Sequence, residues 1–203
     1  IRSSAIYQHS IHYARRGLKE VLMLTKADIK LIKSLSDKGA RMQSGLFVVE
    51  GAKMVGEALA SNFDVEKMYY TGEKAPGGAG GNSEHISPKE MERISHLKTP
   101  SDVLALVRIP RHDEGAGISR DSLLLALDGV QDPGNLGTII RTADWFGITD
   151  IFCSTDSADC YNPKVVQATM GALFSVGLHY GELPPILAEA RSEEIAVYGT
   201  FLE

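Results

Sequence analysis

The sequence predicts an α/β protein made of two consecutive units, a small N-terminal α/β unit and a second unit built on a parallel sheet. Three observations carry this expectation. Short apolar runs alternate with segments of helical period along residues 23–110, and again beyond residue 120. The stretch Arg111-His-Asp-Glu-Gly-Ala-Gly-Ile-Ser-Arg120 is polar, glycine-containing and without period, which reads as a linker between residues 23–110 and 121–203. Around Leu123-Leu-Leu-Ala-Leu127, a break at Pro133-Gly134 and a helical pattern up to Gly147 spell strand, turn and helix, the unit from which parallel sheets grow.

A chain of 203 residues, 43% of them hydrophobic, can bury a full core. No run of 18 apolar residues suggests a transmembrane helix, and residues 1–20 contain no apolar stretch of the kind a secretory signal needs. Cys153 and Cys160 are expected as reduced thiols, which fits a cytoplasmic protein. The net charge of −5 is unevenly spread. Residues 111–203 hold five Lys/Arg against fourteen Asp/Glu, whereas basic residues gather nearer the N-terminus, at Arg15, Arg16, Lys19, Lys26, Lys30, Lys33, Lys38 and Arg41. The acidic balance argues against a uniformly basic nucleic-acid surface, and any such contact is expected in the first half.

Residues 1–22 show no period and read as a tail or upstream extension, with Met23 a natural start. Thr25, with Asp28 three residues on, caps a helix whose apolar stripe is Ile29, Ile32 and Leu35 and whose end is expected at Gly39. Lys26, Lys30 and Lys33 share one side of it. Leu46–Val49 is a strand leading through Glu50-Gly51 into a helix with Val55, Ala58 and Leu59 inward. Val65–Tyr70 is a second strand. Pro76–Gly81 reads as plain loop, because it lacks the Lys-Ser/Thr ending of a phosphate loop. Ser87-Pro88-Lys-Glu90 starts another helix, and Val103–Ile109 is a strand.

In the second unit, Leu123–Leu127 is expected as a strand buried on both faces. Asn135 caps the helix carrying Leu136, Ile139, Ile140, Ala143 and Phe146. Ile151–Ser154 is a strand, Asn162-Pro163 opens a helix, Leu173–Val176 begins a strand, Pro185–Ala190 is a helix and Ile195–Tyr198 a last strand. Polar groups thus collect at the carboxyl end of a strand, where open α/β sheets hold ligands. The helix start could hold an anion on its free amides. Arg141, on the side of Thr138 and Trp145, is either a phosphate fork or a surface arginine paired with Asp144 or Asp128. The six histidines show no metal spacing, and no metal is expected.

Asp132-Pro-Gly-Asn135-Leu-Gly-Thr-Ile-Ile-Arg141-Thr-Ala143, with Tyr161-Asn-Pro-Lys164 and Ala168-Thr-Met-Gly-Ala172-Leu-Phe, resembles the first signature of the SpoU-type (TrmH-like) RNA ribose methyltransferases of the SPOUT superfamily. Lys30-Leu-Ile-Lys-Ser-Leu35 and Gly45-Leu-Phe-Val-Val-Glu50-Gly51 resemble the substrate-binding domain that precedes the catalytic one. The resemblance implies an RNA substrate-binding domain followed by an α/β-knot methyltransferase domain with a parallel sheet. It also implies methyl transfer from S-adenosylmethionine to a ribose 2′-hydroxyl of ribosomal or transfer RNA, and a homodimer. Asn135 and Arg141 carry over as catalytic positions. Lys30, Lys33, Arg41 and Glu50 are the candidate RNA contacts, with a structural role open for Glu50.

The family's two later signatures, a Gly-Asn-Glu-Gly-like loop and a Ser-Leu-Asn-like segment, are not in this sequence. The methyltransferase domain is therefore expected to be incomplete at its C-terminus. Thr200, Phe201 and Leu202 stand where the first cofactor-contacting loop would begin, so the 203 residues alone are expected to bind S-adenosylmethionine weakly. A non-enzymatic RNA-binding module with the same fold, and a nucleotide-dependent enzyme using the Asn135 helix start, are the alternative readings.

Overall fold

The N-terminal sheet is assembled from four strands in the order β1-β4-β2-β3: β1 (Leu46–Glu50), β2 (Val65–Tyr70), β3 (Ser83–His85) and β4 (Val103–Arg108). The computed structural model describes residues 24–78, 82–110 and 123–200. The expected N-terminal tail, the 111–120 linker, Phe201 and Leu202 lie outside them. Strand β4 runs antiparallel to β1, with Phe47 opposite Val107, and to β2, with Tyr69 opposite Leu104; β3 joins β2 in parallel.

Alternation along β1 decides what covers each face. Leu46 and Val48 join Tyr69, Leu104 and Leu106 under helices α1 (Lys26–Ser34) and α4 (Pro88–Ile94), which contribute Ile32, Met91 and Ile94. Phe47 and Val49, with Met68, Ala105 and Val107, look the other way, toward Met54, Val55 and Ala58 of α3 (Ala52–Ala60). Helices α1 and α4 both start with the reciprocal capping boxes that the sequence signals, Thr25 with Asp28 and Ser87 with Glu90.

The first helix does not run to Gly39. The Asp37 side chain accepts from the Ala40 amide at 3.0 Å and starts a separate helix, α2 (Lys38–Ser44), with Gly39 in its first turn. That helix ends at Gly45, whose φ of 67° an L side chain rarely adopts. In α3, Met54 is buried, while Leu59 at the rim is 37% exposed.

The second unit has three parallel strands in the order β5-β6-β7: β5 (Leu125–Leu127), β6 (Asp150–Ser154) and β7 (Gly177–Gly181). Between and after them come α5 (Pro133–Trp145), α6 (Pro163–Thr169) and α7 (Leu183–Ser192). Several expected boundaries are corrected here. Strand β5 is short and lies at the sheet's edge with β6 as its neighbour, so Leu123 and Ala126 are exposed and the strand is not buried on both faces. Phe146 caps the end of α5 and is 74% exposed rather than part of its buried stripe.

Residues 172–174 form a 3₁₀ turn, because Met170 and Gly171 both take positive φ at the end of α6; the strand begins only at Gly177. Ile195–Tyr198 forms no strand. The Ile195 amide closes the end of α7 on the Ala190 carbonyl, and Tyr198 stands 91% exposed with no strand beside it.

One core runs through both units. Phe47 and Val49 share it with Leu136, Ile140, Ile151, Val165 and Leu173. The Phe47 ring lies 4.8 Å from that of Tyr161, and Phe63 meets Phe174 edge-on at 5.1 Å. Each such fully buried apolar side chain contributes about 1.5–3 kcal/mol, so this joint stabilises as a domain interior does. Cys153 and Cys160 are buried and unpaired in it, and burial pushes the Cys153 thiol up to about 11, which leaves it unreactive. No helix among the described residues is long and apolar enough to cross a membrane.

Candidate functional site

Helix α5 presents the two candidate catalytic positions. It starts earlier than expected: Asp132 is its N-cap, Pro133 occupies the first turn, and the Asn135 amide donates to Asp132 Oδ1 at 2.8 Å. The Asp-Pro pair carried that signal, since proline is preorganised for the first helical position directly after a cap. Asn135 is thus a first-turn residue and not the cap. Its side chain is exposed and makes no hydrogen bond among the described residues. The Asp132 carboxylate sits where an anion would have docked, which weighs against a phosphate on the bare helix start.

Arg141 lies on the exposed side of α5 with Thr138 and Trp145, the latter 85% exposed. The two threonines on this helix, Thr138 and Thr142, turn their hydroxyls back to the carbonyls four residues earlier, at 2.8 and 2.9 Å. No ion pair or hydrogen bond among the described residues engages the Arg141 guanidinium, so pairing with Asp144 or Asp128 does not occur. A permanently charged fork therefore stands free in solvent, which suits a phosphate or a developing oxyanion.

The adjoining side of α5 is pressed onto α6, through Gly137, four residues before Arg141. A Cβ placed on Gly137 would meet Ala168 Cβ at 2.4 Å and the Val165 carbonyl oxygen at 3.1 Å, so only glycine permits this crossing. Helix α6 is capped by Asn162, whose side chain accepts from the Lys164 amide. Its Lys164 and Gln167, with Pro163, Val166 and Ala168, form one wall of a cleft of about 350 Å³. Val48 and Glu50 from the end of β1, with His96 and Leu97 after α4, form the other.

The candidate RNA contacts of the first unit fare differently. Lys30 is exposed and makes no ion pair or hydrogen bond among the described residues. The Lys33 ammonium donates to the Ser95 carbonyl at 2.5 Å, which ties α1 to the end of α4. Arg41 is corrected: it is 1% exposed, donates to the Leu35 and Ser36 carbonyls at 2.8 and 3.0 Å and is ion-paired to Asp159, so its charge is spent inside the protein.

Glu50 is 4% exposed. It accepts from the Ser95 hydroxyl at 2.6 Å and the His96 amide at 2.7 Å, and His96 in turn donates through Nε2 to the Ile32 carbonyl at 2.9 Å. This is structural work, on a carboxylate that nevertheless lines the cleft. His96 and Gln167 were not singled out by the sequence. Lys164 was, but only as part of the Asn-Pro-Lys motif. Thr200 is exposed in a segment without helix or strand. Among the described residues no cluster of His, Cys, Asp or Glu could hold a metal ion.

Two family models match the chain: the SpoU rRNA Methylase family over residues 122–203 and the MRM3-like substrate binding domain over residues 26–105. The 23S rRNA (guanosine(2553)-2′-O)-methyltransferase of Bacillus subtilis is 31% identical over 189 residues, which is 92% of this chain and 75% of that protein. The 23S rRNA (uridine(2479)-2′-O)-methyltransferase of Streptomyces viridochromogenes is 28% identical over 70% of this chain, which spans about half (53%) of that relative.

A structure assigned to the TrmH family of RNA methyltransferases, from Porphyromonas gingivalis, superimposes with a TM-score of 0.79 at 39% identity, covering 89% of this chain and 72% of that one. An rRNA methyltransferase from Sinorhizobium meliloti with S-adenosylmethionine bound gives 0.69 at 28%, covering 83% and 67%. With its free arginine on a glycine-crossed helix beside a parallel sheet, and with these relatives on both units, the chain belongs to the SpoU family of S-adenosylmethionine-dependent RNA methyltransferases.

Proposed function

We propose that the protein transfers a methyl group from S-adenosylmethionine to a ribose 2′-hydroxyl of ribosomal RNA, and that α5 is the RNA-facing side of the reaction. The observation that carries this reading is the uncommitted guanidinium of Arg141, nearly two turns beyond Asn135 on a helix that Gly137 locks to α6. A ribose hydroxyl is a poor nucleophile at neutral pH. What this chain can add is position and charge: Arg141 grips a phosphate beside the target ribose and stabilises negative charge as it grows on the 2′-oxygen, while the Asn135 side-chain carboxamide orients the sugar. S-adenosylmethionine supplies the electrophilic methyl group. The first unit guides the RNA, with Lys30 an exposed cation of α1 that is open to phosphate. The homodimer implied for the family would give cover to Trp145 and Phe146, which are 85% and 74% exposed, and the setting is cytoplasmic.

The test is methyl transfer by the protein at its full natural length, using radiolabelled S-adenosylmethionine and ribosomal RNA transcribed without modifications. Label recovered as an alkali-resistant dinucleotide, the mark of a 2′-O-methyl group, is the expected result. RNA binding without any label would instead favour a non-enzymatic RNA-binding module.

A further inference from the structure

The cleft between β1 and α6 has no role in methyl transfer as described, yet it joins features that together define a ligand. Its lining includes the Glu50 carboxylate, 4% exposed, with one internal hydrogen bond to each oxygen and no cation paired to it among the described residues. A carboxylate accepts only, and each oxygen has room for a further donor. Val48, Leu97, Pro163, Val166 and Ala168 supply apolar walls. Lys164 and Gln167, whose side-chain polar atoms make no hydrogen bond or ion pair among the described residues, line the same cleft from α6, whereas Glu50 lines it from β1. An apolar slot with a buried acceptor at one side and free donors at the other matches a flat heterocycle with adjacent donors on one edge and acceptors on another.

Among the four RNA bases that description selects one. Guanine presents N1–H and N2–H side by side, which one carboxylate can take together, and offers O6 and N7 to an ammonium or amide. Adenine and cytosine each set a ring nitrogen acceptor beside their amino group, and uracil has a single N–H flanked by carbonyls. Proteins that read RNA sequence take unstacked bases into such slots and bond their Watson–Crick edges. The place is also suitable: Ala168 lines the cleft and is the residue that Gly137 meets, and Arg141 follows Gly137 by about one helical turn.

We propose that this cleft binds an unpaired guanine of the substrate RNA, a nucleotide near the one held at Arg141, and so contributes to the choice of target. This rests on the RNA-methyltransferase reading above.

Uridine pentamers with one central guanosine, inosine or adenosine, fluorescently labelled, are titrated with the protein in low salt. Guanosine is expected to bind about tenfold more tightly than inosine, which lacks the 2-amino group, and than adenosine. Glu50→Gln should erase the difference between guanosine and inosine. Because Glu50 also holds Ser95 and His96, its folding is checked by circular dichroism. Gln167→Trp, which fills the cleft from the surface of α6, should remove the guanosine preference without that risk. A pentamer with central 6-thioguanosine should crosslink under ultraviolet light to the Leu97 or Pro163–Ala168 peptides. Equal affinity for the three pentamers, or crosslinks confined to other peptides, overturns the proposal and leaves RNA binding standing. Failure of every pentamer and of ribosomal RNA to bind overturns the RNA reading along with it.

Discussion

The guanidinium of Arg41 and the carboxylate of Asp159, 118 residues apart, meet with Nη2 2.5 Å and Nε 3.1 Å from the same oxygen, Oδ2. The other carboxylate oxygen accepts from the Tyr161 amide at 2.9 Å, and Arg41 Nη1 donates to the carbonyls that close α1. One residue of α2 therefore ties that helix, the end of α1 and the loop before α6 together.

Removing one partner of this pair leaves the other charge buried without its counterion. Arg41→Ala is expected to cost about 3 kcal/mol of stability, read as a fall in the urea midpoint. If the protein is rescued at low temperature, its affinity for RNA per folded molecule should be unchanged. A large loss of RNA affinity at unchanged stability would place Arg41 at the RNA after all.

Arg141 is the converse case. Exposed and unpaired, it contributes to no packing, so Arg141→Ala should shift the melting temperature within about 1 °C, as surface changes do. Methyl transfer by the full-length protein should nonetheless fall by about a hundredfold or more, the cost of one electrostatic contact to a developing oxyanion. Arg141→Lys should recover only part of the rate, because an ammonium cannot make the bidentate fork. Unchanged turnover in Arg141→Ala would make it an ordinary surface residue.

Gly137→Ala tests the helix crossing. An added Cβ lies 2.4 Å from that of Ala168, and neither side is a flexible side-chain end that could swing away. Helices α5 and α6 must separate, at about 2 kcal/mol. Denaturant unfolding measures the loss, and Gly137→Ala combined with Ala168→Gly should restore part of it.

The pair Asp150 and His179 shapes the acid limb of stability. Burial raises the Asp150 carboxyl, but hydrogen bonds from His179, at 2.9 Å, and from the Thr149 hydroxyl, at 2.7 Å, outweigh it and hold the pKa below the usual range. A carboxyl depressed in the folded state contributes its stability above its unfolded pKa, about 4, and loses it as the pH falls through the folded value. Asp150→Asn should remove this contribution near neutrality and flatten the decline of the urea midpoint below about pH 4. A parallel decline in wild type and variant would exclude the pair as its source.

Local chemistry was legible in the sequence wherever a helix start announces itself. Thr25 with Asp28 and Ser87 with Glu90 read through to capping boxes because both partners lie within four residues. The motif around Asn135 and Arg141 was equally local. What escaped needed neighbours distant in the chain. Arg41 reads as a surface cation until Asp159 is brought to it from the second unit. Glu50, His96 and Gln167 come from β1, the end of α4 and α6, and no spacing rule joins residues 46 and 117 positions apart. Ile195–Tyr198 has the composition of a strand, but composition cannot supply a partner to pair with.

The continuous core through Phe47, Tyr161, Phe63 and Phe174 has a consequence for how RNA is chosen. Two units joined by a string could adapt to many spacings between a recognised nucleotide and a reacting one. Units that share an interior cannot. If the guanine cleft and Arg141 both hold the substrate as proposed, the molecule acts as a caliper of fixed opening, and an RNA qualifies by the distance and angle its own fold sets between two of its nucleotides.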